Sequence, residues 1–149
     1  MKSIDIGSIK IENIIETIGL HKPDFLFPDL KNKQLEDQIN WLVPDFVDSQ
    51  TNNLVMVFQS YVIKSNNLNI LVDTCVGNDK NREHRPFWHK QKTPYLKKLN
   101  QLGLSPSDID FVMCTHLHAD HVGWNTKLEN NQWVPTFPKA KYIFSKKEY

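Results

Sequence analysis

Hydrophobic positions alternate with polar ones at the start of the chain. Ile4, Ile6, Ile9 and Ile11 follow a period of two, which predicts strands, and Ile14 to Ile18 continue the sheet. An irregular stretch is expected from Leu20 to Pro28. Leu35, Ile39 and Leu42 recur at spacings of four and three, so a short helix is predicted, ending near Pro44. Leu54 to Ile63 is β-rich and Leu68 to Val72 is its partner; with Asn66-Asn67 as the turn, the pattern predicts a hairpin with a longer loop. Gly77 to Thr93 reads as a polar and aromatic loop. Tyr95, Leu96, Leu99 and Leu102 mark one face of a helix that Gly103 closes. Ser105 to Asp108 predicts a helical turn with Ser105 as cap and Pro106 at its first position. Ile109 to Cys114 and Lys141 to Phe144 are further strands. Strands alternating with helical segments give an α+β or layered α/β class.

Composition narrows the possibilities. A chain of 149 residues, 40% hydrophobic and 23% charged, fits one globular domain. The longest aliphatic and aromatic run, Leu54 to Phe58, is five residues, which predicts no membrane span. The first residues lack a basic region followed by an apolar core, so a cytoplasmic protein is expected. Eighteen basic against 17 acidic residues argues against a nucleic-acid partner. Cys75 and Cys114 lie in strand-like contexts and are expected reduced and buried, a single disulfide being the alternative. Trp41 and Trp133 read as packing residues. His21, His84 and His89 read as solvated loop positions.

The segment Thr115-His116-Leu117-His118-Ala119-Asp120-His121 changes the picture. It places three of the six histidines and a carboxylate within six residues, directly after the apolar run Phe111 to Cys114. Imidazole and carboxylate are ligands for a borderline Lewis acid such as zinc. On an extended backbone residues i and i+2 project to one side, so His116 and His118 can converge on one ion.

H-x-H-x-D-H resembles the signature of the metallo-β-lactamase-fold hydrolases. Ile70 to Thr74 is similar to the strand ending in Asp-Thr that precedes it, and Gly103-Leu104 with Asp108 to Asp110 resembles the helix-to-strand approach. Trp124-Asn125 and Thr136 to Tyr142 resemble the lactonase-like branch. The resemblance runs over roughly residues 50 to 149. It implies a four-layer αββα sandwich, of which this chain would be the N-terminal half: one sheet with its outer helices, leaving an apolar face for a second sheet.

By the same resemblance His116 and His118 would bind one metal, and Asp120 and His121 a second. Asp73 would orient a ligand histidine. Asp120 would also carry a proton between nucleophile and leaving group. Two zinc ions are implied, with iron or manganese as alternatives. Trp88, in the loop after Asn78, and Trp124 are candidates for the substrate pocket, whereas the charges of that loop read as solvated. Cys75 stands where glycine often follows Asp-Thr, and burial is expected for it. The implied function is hydrolysis of an ester or lactone in a small molecule. The family needs more ligands than the chain supplies, since the 28 residues after His121 contain no histidine and no aspartate. Ser145 to Glu148 fits the S-x-x-E box that opens a helix, and only Tyr149 follows. Residues 1–149 are therefore expected to be a single partial domain, truncated at the C-terminus. A non-catalytic fragment or degenerate metal-binding module is the alternative reading.

Overall fold

The computed structural model describes residues 3–30 and 32–149. They form two compact units, one made of the chain up to Thr17 together with Phe58 onward, the other of Ile18–Val57. In chain order the elements begin with strands β1 (Ile4–Ile6) and β2 (Ile9–His21). Three short helices follow, α1 (Pro23–Leu26), α2 (Asn32–Glu36) and α3 (Ile39–Leu42). Next come β3 (Leu54–Ser65), β4 (Leu68–Val72), helix α4 (Tyr95–Gln101) and β5 (Phe111–Met113). The last strands are β6 (Thr126–Glu129), β7 (Gln132–Pro135) and β8 (Lys141–Ile143).

Six strands make one mixed sheet in the order β1-β2-β3-β4-β5-β8. The first pair is antiparallel, with Ile4 opposite Ile11 and Ile6 opposite Ile9. β3 and β4 are also antiparallel, and β4, β5 and β8 run parallel, Val72 beside Met113 and Met113 beside Ile143. Parallel neighbours need a crossover. α4 supplies it between β4 and β5, and Gly103, at φ +78°, ends that helix in the left-handed region where glycine pays no Cβ penalty. The core joins Ile14, Val62, Leu71 and Val112 of the sheet to Tyr95, Leu99, Ile109, Trp124 and Phe137. Met113 and Ile143 are register partners and both are exposed, so an apolar strip lies open on that face. Cys75 and Cys114 are free thiols and buried.

The structure corrects several local expectations. Asn66 and Asn67, at φ +48° and +66°, connect β3 to β4 by a two-residue turn of the I′ kind, not by a longer loop. Asn130 and Asn131 do the same for β6 and β7, whose sequences show no apolar alternation and were not expected as strands. The helix expected over Leu35 to Leu42 is broken in two, because the Gln38 N–H bonds back three residues to the Leu35 carbonyl and closes the turn early. Pro44 then stops α3, with Val43 before it extended at φ −88°, ψ 138°. Within the irregular stretch β2 runs on to His21 and α1 forms. Neither Trp41 nor Trp133 is a packing residue. Trp41 is 63% exposed and bonds Gln38, while Trp133 is 46% exposed and lies under the Lys80 ammonium. At Ser105 the carboxylate of Asp108 accepts both the backbone N–H and the hydroxyl, which holds Asp108 below the usual carboxylate range.

Candidate metal centre

Strands β4 and β5 end side by side, and the chain leaves both at the same end of the sheet. Asp73 follows β4 at φ +57°, a left-handed conformation that costs energy for a residue with a Cβ and is tolerated best by Asp and Asn. Its N–H donates to the Met113 carbonyl. Its carboxylate turns to the loop after β5, where it accepts the Thr115 N–H at 2.8 Å and the Thr115 hydroxyl at 2.7 Å. The same Oδ2 lies 2.9 Å from Nδ1 of His121.

These bonds fix the histidine tautomers. A carboxylate only accepts, so Nδ1 of His121 donates to Asp73, and in the neutral ring this leaves the lone pair on Nε2. That Nε2 faces Asp120 Oδ2 at 3.5 Å. The single hydroxyl proton of Thr115 is committed to Asp73, so Thr115 Oγ1 accepts from His116 Nδ1, 3.1 Å away. Nε2 of His116 is then also free to ligate. The His116 ring centroid lies 4.6 Å from that of His118 and 3.9 Å from that of His121. The four predicted ligands and Asp73 are thus brought into one neighbourhood. Among the described residues, no three or more His, Cys, Asp or Glu side chains form a set able to enclose an ion. The donor chemistry nonetheless fits a metal: two imidazoles have Nδ1 engaged by a neighbour, which leaves Nε2 as the nitrogen available for ligation, one of them beside a carboxylate.

A second layer of bonds joins the two loops. The His121 carbonyl accepts the N–H of Thr74 at 2.7 Å, and the Thr74 hydroxyl bonds Asn125. Trp124 N–H returns to the Thr74 carbonyl, and Gly123 N–H to the Cys75 carbonyl. Gly77 and Gly123 meet so closely that a Cβ on Gly123 would sit 1.9 Å from the Val76 oxygen.

Two organising residues carry no sequence signal. Glu16, only 4% exposed, accepts Val76 N–H at 2.7 Å, Gly77 N–H at 3.1 Å, Trp124 Nε1–H at 2.6 Å and the Thr93 hydroxyl. Arg82 donates from Nη1 to the Val76 carbonyl and from Nη2 to the Ala119 carbonyl. Burial pulls the guanidinium below its usual range, and the charges of Glu16 and Asp120 oppose that shift. A buried carboxylate shared between two backbone N–H groups and two side-chain donors is visible only once the fold is known.

The candidate pocket residues separate. Trp124 is 4% exposed, its indole N–H is consumed by Glu16 and its face stacks on Tyr95 at 5.1 Å. It is a core residue, and the pocket role expected of it is corrected. Trp88 is half-buried, edge-on to Phe58, with the exposed Phe87 beside it. The loop histidines are not uniformly solvated. His84 is exposed, but His89 is half-buried and its Nδ1 accepts the Arg82 N–H, and His21 ends β2 and stacks on Phe25.

The sequence model of the metallo-beta-lactamase superfamily matches residues 59–148. The chain belongs to the metallo-beta-lactamase superfamily. A probable metallo-hydrolase of Methanocaldococcus jannaschii is 46% identical over 54 residues, covering 36% of this chain and 22% of the relative. The N-acyl homoserine lactonase AiiB of Agrobacterium fabrum is 32% identical over 74 residues, 43% of this chain and 27% of the relative. Among solved structures, a probable metal-dependent hydrolase from Staphylococcus aureus superposes with a TM-score of 0.76 at 22% identity, over 97% of this chain and 50% of its own. The dizinc quorum-quenching lactonase AidC gives 0.74 at 22% identity, over 99% of this chain and 45% of its own. The chain thus spans at most half the length of these structures and aligns with about a quarter of the curated relatives. The α+β arrangement with its large sheet is the metallo-beta-lactamase fold.

Proposed function

We propose that this chain supplies the metal-binding loop of a zinc-dependent hydrolase that opens an ester or lactone bond in a small-molecule substrate in the cytoplasm. The observation that carries the reading is the series Asp73–His121–Asp120, in which one carboxylate fixes the imidazole and leaves its Nε2 facing another carboxylate. His116 and His118 would hold one ion, and Asp120 and His121 a second. Zinc, when bound, lowers the pKa of water toward neutrality and polarises a carbonyl.

The chain's own residues have separable tasks. Asp73 and Thr115 hold the rings of His121 and His116 with the ligating nitrogens free. Asp120 Oδ2, beside the reacting region, would receive a proton and return it to the leaving oxygen. The exposed Phe87 beside Trp88 supports an apolar wall for the substrate. The lactonase relatives favour a cyclic ester. The chain spans at most half the length of the structures it superposes on, which supports reading residues 1–149 as part of one larger domain.

That same observation favours a second reading, a non-catalytic module with a partial metal loop. Elemental analysis and lactone hydrolysis separate the two. The first reading expects zinc, iron or manganese to co-purify, chelator-sensitive turnover, and loss of metal in His116→Ala and His118→Ala. Protein that retains no metal at neutral pH would sink it, and metal retention without turnover of any ester or lactone would favour the module.

A further inference from the structure

His116 and His121 each have a ring oriented by a neighbour, Thr115 for one and Asp73 for the other. The exposed His118 ring has no hydrogen-bonding partner among the described residues; it meets only the edge of the His116 ring, so its direction depends largely on the backbone that carries it. That backbone is held on both sides of His118 by charged side chains from distant parts of the chain. Before it, the Leu117 N–H donates to Glu148 Oε2 at 3.1 Å. After it, the Ala119 carbonyl accepts Arg82 Nη2–H at 2.9 Å. Between them the His118 carbonyl accepts the His121 N–H at 3.0 Å.

We propose that Arg82 and Glu148 are positioning residues for His118, acting as two clamps on the backbone of the residues on either side of it, at the far peptide group of each. The proposal rests on the reading of His118 as a metal ligand. Arg82 suits the task because a planar guanidinium serves two carbonyls at once, which an ammonium does not reproduce. Its other nitrogen holds the Val76 carbonyl, its own N–H is held by His89 Nδ1, and the Val76 and Gly77 N–H groups end on buried Glu16. A continuous line of hydrogen bonds therefore ties the backbone beside His118 to the interior. Glu148 follows a different logic. Ser145 caps the turn Lys146–Glu148 through the Lys147 N–H, which leaves the Glu148 carboxylate available for Leu117.

The test uses purified protein, competed for zinc against a chromophoric chelator, with Arg82→Met, Arg82→Lys and Glu148→Ala beside the wild type. Groups that hold a ligand in place change metal affinity by about 10–100-fold, so Arg82→Met is expected to weaken zinc at least tenfold. Arg82→Lys should fall between it and the wild type. Glu148 is exposed, so its loss leaves the core intact and is expected to weaken zinc by about threefold, below the range for a buried partner. In the metal-free protein, backbone order parameters at residues 117–120 should drop from about 0.85 toward 0.6 in Arg82→Met. A purely structural role would lower the unfolding temperature while leaving both readouts unchanged, and that result overturns the proposal. If Arg82→Met does not fold, Glu148→Ala decides on the same two readouts. If the wild type itself holds no zinc, the metal reading fails, and the order parameters still decide whether the clamps fix this backbone.

Discussion

Removing the Glu16 carboxylate should cost several kcal/mol of stability although no metal ligand is touched. Four donors end on it, two backbone N–H groups, an indole N–H and a hydroxyl, and the residue is almost wholly buried. The hydroxyl of Thr93 has a second acceptor in Asn78 Oδ1, so it drops out of the reckoning. The other three would be stranded in Glu16→Ala, at about 1–3 kcal/mol each. Water admitted to the vacated space and the relief of burying a charge reduce the sum, so about 3–5 kcal/mol is expected. Glu16→Gln behaves differently. Gly77 and Trp124 both bond Oε1, which the amide oxygen can replace, whereas Val76 bonds Oε2, where an NH₂ group would face its N–H. One bond is lost there, for about 2 kcal/mol. Denaturant unfolding of metal-free protein measures both, and at this chain length a loss of 4 kcal/mol lowers the melting temperature by about 12 °C. An Ala variant within about 1 kcal/mol of wild type would refute the reasoning. Equal losses for Ala and Gln would show that charge, not donor geometry, sets the value.

Gly123→Ala places a Cβ against the backbone of Val76 and Gly77, which cannot swing aside, so loss of soluble folded protein is expected by near-ultraviolet circular dichroism. Asp73→Ala frees the His121 ring and should weaken zinc by about 10–100-fold in a chelator competition; unchanged affinity would remove Asp73 from the site. Lys80 sits against Thr126 and the Trp133 ring, and burial, then Arg82, pulls its ammonium from the usual 10.5 to about 8. Between those values the unfolded chain binds more protons than the folded one, so stability should rise with pH across that window, and Lys80→Met should abolish its share of the rise. The ¹³C-methylated Lys80 resonance is expected to titrate near 8, and a midpoint above 10 would contradict the placement.

The H-x-H-x-D-H loop was legible because its residues are contiguous. His116, His118, Asp120 and His121 follow one apolar strand, and Asp73 ends another. Helix α4, its Gly103 stop and the hairpin at Asn66-Asn67 were legible for the same reason, since caps and turns are local. What failed depends on distance along the chain. Glu16 meets Val76, Gly77 and Trp124 across 60, 61 and 108 residues, and Arg82 meets Ala119 across 37, separations over which no spacing rule operates. The tryptophans show the limit of inference from residue type. Trp41 and Trp133 are large and apolar yet exposed, whereas Trp124, read as a pocket residue from its nearness to the signature, is spent on Glu16 and Tyr95. β6 and β7 escaped notice because a two-strand ribbon with both faces wet needs no alternation.

The parallel pairing of Val72 with Met113 makes the sheet a ruler for the chemistry beyond it. Asp73 reaches Thr115 and His121 because β4 and β5 run out of residues together. Deleting one residue from either strand would leave every functional side chain in the sequence. It would nevertheless displace Asp73 relative to Thr115 and His121 by about 3.3 Å along the strands and turn the residue that follows the shortened strand to the opposite face. Length variation in this family is therefore expected in the loops and in the Asn-Asn turns, where it costs little, while the lengths of β4 and β5 are held as strictly as the identity of a ligand.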